Sequence, residues 1–295
     1  MNKYLIFRTD RIGDFLLSLI LIKSIKRNDI NSHITVVASN KNFDYIRSFN
    51  IIDEVILLKK GFFNRIKLIL LLRKKKFNYI ICHDRKKRSK FISFFLNSKY
   101  KYFTKLNSYK SFFEEIKVIL NNLNFNFHDT DFNTLDNRNL SSLVIDKKDY
   151  FLLHFDEKWV LNEYISTYVD IEPSLSEFEK FISILFSKTN KNIYISSGIK
   201  TPTILDKFFK RNSNANIVLF NNLNFLQLEK LIYNSSLLIS CHGAVSHIAS
   251  ALNVRQIDII DKSYNYNKWT YHFRNYNFIY RKNFKSLSNE ILKII

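Results

Sequence analysis

The chain has 295 residues, 46% of them hydrophobic and 16% aromatic, which is apolar enough for one large or two ordinary domains and excludes a disordered chain. Lys and Arg number 46 against 26 Asp and Glu, a formal charge of +20. That excess fits either a lysine-rich solvated surface or an anionic partner: nucleic acid, a phosphorylated sugar or the inner face of a membrane.

The elements follow a repeating order. "KYLIFR" (3–8) reads as a strand and "DFLLSLILIKSIKR" (14–27) as a helix. "HITVVAS" is a strand, "KNFDYIRSF" a helix, "EVILL" a strand, "FFNRIKLILLLRKKK" a helix, "NYIICH" a strand and "RSKFISFFLN" a helix. Short β-rich runs alternating with helix-period segments predict a parallel sheet covered by helices. The rhythm breaks over 124–149, which is polar and Asn/Asp-rich, so a domain boundary is expected there, with the second domain starting near 146. Alternation then resumes. "DYFLLHF" is a strand and "SLSEFEKFISILFSK" a helix, with Ser176 and Glu179 at capping-box spacing. "NIYISS" and "ANIVLF" are strands, "NFLQLEKLIY" a helix, "SLLISC" a strand, "AVSHIASAL" a helix and "RQIDII" a strand. "KSLSNEILKII" closes the chain as an amphipathic helix.

Cys82 and Cys241 are far apart and form no C-x-x-C pair, so the expectation is a reduced, cytoplasmic protein with buried thiols. The first residues carry no leader pattern. The longest apolar runs, "FLLSLILI" and "IKLILLL", fall short of the ~20 residues needed to span a bilayer. Neither export nor membrane insertion is expected.

The chain holds only four glycines. Gly13, Gly198 and Gly243 each follow a predicted strand where it hands over to a helix. Ligands of open α/β sheets bind outside the carboxyl ends of the strands, and glycine there admits close backbone approach. Tight βα turns can also require glycine for their own sake. After Gly13, Asp14 opens a helix and has two readings. It is either an N-cap, worth ~1 kcal/mol, or a carboxylate that takes a proton from a bound hydroxyl. Negative charge is favoured at a helix N-terminus in both cases. Arg8, Asp10 and Arg11 crowd the same turn.

These stretches together carry a resemblance. "RTDRIGDFLLSLILIKSIK" resembles the N-terminal signature of the lipopolysaccharide heptosyltransferase family, glycosyltransferase family 9. "NYIICHDRKKRSKFISFFLNSKYKYF" resembles its strand, Asp, basic-Ser and helix segment leading into a short strand. "YFLLHFDEKW" is similar to the opening of its second domain, and "LISCHGAVSHIASALNVRQIDII" to its donor segment. The resemblance spans nearly the whole chain. It implies an α/β chain of GT-B fold: two Rossmann-like, doubly wound domains facing across a cleft. The implied domains are an acceptor domain over 1–145 and a nucleotide-sugar domain over 146–285, with the helix 286–295 crossing back to the first.

The implied reaction is inverting sugar transfer to a lipopolysaccharide or surface-polysaccharide acceptor, a glycolipid or oligosaccharide. No cofactor or metal is implied, and the nucleotide-sugar is a co-substrate. By resemblance Asp14 is the general base, and Arg8, Asp10, Arg11, Gly13, Asp84 and Arg85 lie on the acceptor side. Lys158, Ser197, Gly198, His242, Gly243, Ala244 and His247 lie on the donor and phosphate side. The donor segment departs from the family pattern. Cys241 stands for its Asp, His242 for its Ser/Thr, and His247 lies one residue farther along. Lys158 directly precedes Trp159, where the family has a residue between.

Other readings stay open. His242 and His247 are five apart with no acid between them, which favours a phosphate or sugar contact for His242 over a metal. His247 is a ligand contact or a packing residue. The basic runs "LRKKKFNY" and "RKKRSK" point to peripheral contact with anionic lipid at the cytoplasmic face of the inner membrane, or to a phosphorylated acceptor. Nucleic acid is not expected, because the aromatics follow core periodicity. The alternatives to the transferase are a nucleotide-sugar epimerase or hydrolase on the same fold, and a non-catalytic basic homologue.

Overall fold

The computed structural model describes residues 1–104, 111–135, 149–160 and 168–295. It divides into two compact units. One gathers Met1–Arg138 with Asn267–His272, and the other Asn139–Tyr266 with Phe273–Ile295. The expected boundary near 146 lies outside the described residues.

The first unit holds a five-stranded sheet of β1 (Lys3–Arg8), β2 (His33–Ala38), β3 (Glu54–Leu57), β4 (Tyr79–Cys82) and β5 (Tyr100–Phe103). All are parallel, in the order β3-β2-β1-β4-β5. Its central strand is a continuous apolar run, with Tyr4, Leu5, Ile6 and Phe7 fully buried, as a parallel strand covered on both faces requires. The helices are α1 (Ile12–Asn28), α2 (Phe43–Arg47), α3 (Phe62–Arg73), α4 (Lys87–Phe94) and α5 (Phe112–Asn122). Leu68, Ile69 and Leu72 of α3, with Ile92 of α4, seal a core over Leu5, Phe7, Ile80 and Cys82. Helix α5 packs beside α1. A 3-10 turn, Asp129–Phe132, is tied to α1 by Arg27 (2.9 Å to Asp131) and Ser24 (2.7 Å).

The second unit holds six parallel strands: β6 (Tyr150–His154), β7 (Asn192–Ser196), β8 (Ile217–Phe220), β9 (Ser235–Cys241), β10 (Gln256–Ile260) and β11 (Tyr276–Tyr280). Their order is β11-β10-β9-β6-β7-β8. The helices are α6 (Glu157–Val160), α7 (Leu175–Thr189), α8 (Thr203–Arg211), α9 (Phe225–Tyr233), α10 (Ala244–Ala251), α11 (Asn267–Thr270) and α12 (Phe284–Ile294). Of these, α11 belongs to the first unit. It packs on α5, with the rings of Phe112 and Trp269 5.1 Å apart.

In both sheets the first strand of the unit is central and the order reverses beside it. The reversal falls between β1 and β4 in one unit and between β6 and β9 in the other. This is the doubly wound arrangement, and its switch points are where such sheets bind ligands.

Two expectations are corrected. The terminal helix does not return to the first unit. Phe284, Leu287 and Ile291 of α12 are buried in the second unit's core with Phe181 and Trp159. The segment that returns is Asn267–His272. The capping box of α7 is Ser174 with Glu177, two residues earlier than the Ser176–Glu179 pair, because the helix begins at Leu175. Left-handed backbone among the glycines occurs at Gly61 (φ 105°), which opens α3, and not at the three strand-to-helix glycines.

Candidate functional site

At the first unit's switch point, β1 runs into α1 through residues 9–11. Arg11 is the N-cap and makes no side-chain cap bond, which places Asp14 third in the helix. The N-cap reading of Asp14 is therefore replaced. Its carboxylate is half-buried and takes no hydrogen bond or ion pair among the described residues. Its backbone carbonyl is held instead, accepting from Arg8 Nε at 2.7 Å and from a second Arg8 nitrogen.

Arg8 is buried and its remaining nitrogen donates to the His83 carbonyl (2.5 Å) and Asp10 Oδ2 (3.0 Å). It thus staples the β1 turn to the end of β4, with four of its five N–H donors bonded within the unit. Asp84 is likewise consumed. Buried at the end of β4, it accepts from Thr9 Oγ1 (2.5 Å), Ser89 Oγ (2.6 Å) and the Lys86 amide (3.2 Å). Arg85 pairs with Glu115 (3.1 Å) and lies 3.4 Å over the Phe112 ring. All three residues are held by internal partners, as charge withdrawn from water demands. The partners were not legible from the turn sequence. Arg11 is exposed, and Gly13 is buried in the first turn of α1.

Asp10 remains the unusual group. Its Oδ2 meets Arg8, while its buried Oδ1 has no hydrogen-bond partner among the described residues. Burial pushes its carboxyl up to about 7. Arg8 opposes the rise, and the charges of Asp14 and Asp84 add to it. A carboxyl raised in the fold binds more protons than the unfolded chain between pH ~4 and ~7, so its contribution to stability falls as pH rises through that window. Asp10→Asn is expected to match wild type near pH 4 and exceed it near pH 8 by about 2 kcal/mol in denaturant unfolding. A difference that does not change with pH would refute this.

The second unit's switch point is built from β6–α6 and β9–α10. Asp156, buried just past β6, pairs with Lys158 Nζ at 2.8 Å and faces His154 Nε2 at 3.6 Å. Burial alone would raise its carboxyl, but Lys158 and His154 hold it well below the usual carboxylate range. The glycines explain themselves here. A Cβ on Gly243 would sit 2.6 Å from Lys158 Nζ, and one on Gly198 would collide with the Glu157 carboxylate. The Lys158 ammonium therefore rests against the N-terminus of α10. Gly243 is the N-cap of that helix, with extended φ of 176°, and Ala244 is its first residue. A helix N-terminus with an ammonium beside it is suited to an anion.

Next to it, His242 Nδ1 lies 2.6 Å from Asp258 Oδ2, which also accepts from Tyr276 OH at 3.1 Å. Asp258 Oδ1 accepts from Ser246 Oγ at 2.8 Å. His247 is buried, its ring edge-on to Phe273 at 5.1 Å and to His242 at 5.6 Å. Ser197 is buried, with its Oγ 3.3 Å from Thr201 Oγ1. Cys241 and Cys82 are buried thiols, each pushed up to about 12 by burial. Among the described residues no group of three His, Cys, Asp or Glu is placed to hold a metal ion.

The sequence reading missed Asp156, Glu157, Asp258 and Arg281. Asp258 carried a signal, being an acid inside the apolar strand "RQIDII". Arg281 did not, since "YNFIY" before it did not register as a strand. Arg281 is buried and donates to the Lys158 carbonyl (2.8 Å), the Val169 carbonyl (3.0 Å) and Cys241 Sγ (3.4 Å). It fixes the turn that presents Lys158.

No protein-family model matches the chain, and no curated protein matches it. Solved structures do. The E. coli heptosyltransferase WaaC with ADP superposes at a TM-score of 0.74 and 12% identity, over 99% of this chain and 100% of that one. A family 9 glycosyl transferase from Veillonella parvula gives 0.67 at 14% identity, over 99% and 88%. The UDP-GlcNAc 2-epimerase from Methanocaldococcus jannaschii gives 0.60 at 16% identity, over 100% and 92%. The fold is GT-B, shared with heptosyltransferases and, at lower scores, with these epimerases.

Proposed function

We propose that the chain is an inverting glycosyltransferase that moves a sugar from a nucleotide-diphosphate donor to a surface-glycolipid or polysaccharide acceptor without an essential metal. The observation that carries this reading is the Lys158 ammonium set against the glycine-capped N-terminus of α10 at a sheet switch point. That pairing suits a diphosphate, whose charge grows as it leaves. The first unit supplies Asp14, whose carboxylate takes no hydrogen bond or ion pair among the described residues, as base for the acceptor hydroxyl. As the Asp14 carboxylate takes that proton, the oxygen attacks the anomeric carbon and the bond to the diphosphate breaks. Asp156 keeps Lys158 in place, and Asp258 orients His242 beside the same helix end. Work at the cytoplasmic face of the inner membrane follows from a lipid-linked acceptor.

The likeness to UDP-GlcNAc 2-epimerases favours a second reading, turnover of the nucleotide-sugar alone. Turnover with acceptor omitted would select it.

The test is a nucleoside-diphosphate panel read by thermal shift and titration. At least one diphosphate should stabilise the wild type. Gly243→Ala should fold as stably as wild type, because φ is extended there and the Lys158 tip can move aside. It should bind the diphosphate about tenfold more weakly, the worth of one charge-assisted contact. Unchanged affinity in this variant would remove Lys158 and α10 from the donor site.

A further inference from the structure

Nineteen large hydrophobic side chains are exposed among the described residues, and eight of them fall on or directly after two helices. Phe62, Phe63, Ile66, Leu70 and Leu71 are on α3, and Phe91, Phe94 and Phe95 are on and after α4. On α3 the inward face is already provided by Leu68, Ile69 and Leu72. Phe62, Ile66 and Leu70, at i, i+4 and i+8, form a second apolar stripe that nothing among the described residues covers. On α4, Ile92 points inward while Phe91 and Phe94 point out, the latter 76% exposed. The rings of Phe91 and Phe94 each pack against Phe95, at 5.1 and 5.5 Å. The two helices pack side by side over one core. A patch of this kind marks an interaction surface.

Its charge selects the partner. From Lys59 to Lys90 the chain carries thirteen Lys and Arg and one acid, Asp84, which is buried. Lys67, Arg73, Lys74, Lys76, Lys87 and Lys90 are exposed on and around the same helices. Apolar side chains framed by long cationic ones fit the boundary between acyl chains and anionic headgroups, with the ammonium groups reaching back to the phosphates. A second copy of the chain would oppose the same cations to themselves. Among the described residues no helix is long and apolar enough to cross a membrane. A cavity of about 600 Å³ opens at the far end of the two helices. Its floor is Leu72, Phe77 and Leu96 and its rim carries Arg73 and Lys76, room for a lipid headgroup.

We propose that the outward faces of α3 and α4 are a monotopic docking surface for an anionic lipid bilayer, with Phe63 and Phe94 inserting and the surrounding lysines and arginines pairing with lipid phosphates. This deepens the membrane-side part of the function proposed above.

The test is co-sedimentation of the full chain with vesicles of phosphatidylcholine containing about 30% phosphatidylglycerol, and with phosphatidylcholine alone. Wild type should bind the anionic vesicles and lose them as salt rises. Phe63→Ser with Phe94→Ser removes two side chains that are 78% and 76% exposed, so folding is spared. It should bind the vesicles at least about tenfold more weakly. Tyr233→Ser, at an exposed aromatic of the second unit, should bind as wild type does. The nucleoside-diphosphate thermal shift should persist in the double variant, so the vesicle result and the donor result stand or fall separately. Equal binding by wild type and double variant overturns the proposal. So does failure of wild type to bind anionic vesicles, conversion of a wild-type dimer to a monomer by the double substitution, or displacement of bound vesicles by a single-stranded RNA oligonucleotide.

Discussion

Asp14→Asn is expected to slow sugar transfer by about 10²–10⁴-fold, the range that a general base contributes. The substitution keeps the side chain's size and removes its ability to take a proton. The fold should not notice it. The helix start does not depend on this side chain, since Arg11 is the N-cap and the position-14 carbonyl, not its carboxylate, is the group Arg8 holds. Donor binding, proposed to draw on Lys158 and α10, should be retained. A variant that unfolds, or loses the diphosphate, would assign Asp14 a structural role. One that transfers at the wild-type rate would move the base elsewhere, with Asp10 the next carboxylate in the same turn.

Arg281→Ala is expected to cost about 2–4 kcal/mol of stability. The guanidinium is buried and divides its donors among two carbonyls and the Cys241 sulfur. It also lies 4.9 Å over the Tyr168 ring. Truncation strands those acceptors, and each stranded group costs about 1–3 kcal/mol. Against a typical total of about 5–15 kcal/mol this is a large fraction. Arg281→Lys should rescue only part of it, because a single ammonium cannot reproduce the planar fork. The Lys158 carbonyl is one of the stranded acceptors, so diphosphate affinity should fall together with the denaturant midpoint. Loss of stability with unchanged affinity would show that the α6 turn holds itself.

The alternation of strands and helices was legible because parallel strands buried on both faces are continuous apolar runs, as in "YLIF" and "LLIS". Several elements escaped it. Helix α5 follows the undescribed stretch 105–110 and opens at Ser111, which caps the Glu114 amide. Strand β11, "YNFIY", carries an Asn and is largely exposed, so it shows no clean period. The site divided along similar lines. Position in the chain pointed to Gly13, Asp14, Gly198 and Gly243, because strand-to-helix handovers are visible in sequence, while Lys158 came from the family resemblance. Partner choice was not visible. Whether Arg8, Asp84 and Arg85 face a ligand or one another depends on β4 lying beside β1, a long-range pairing that local pattern does not encode. Asp258 and Arg281 matter through contacts with residues 16 and 123 positions away.

The central claim divides labour: the first unit's carboxylate moves the proton and the second unit holds the diphosphate. The direct measurement is calorimetric titration of the stabilising nucleoside diphosphate into wild type and Asp14→Asn, with sugar transfer assayed on the same preparations. Equal dissociation constants with transfer lost only in the variant is the predicted result. A dissociation constant that rises as far as transfer falls, or no nucleoside diphosphate bound by wild type, would contradict it.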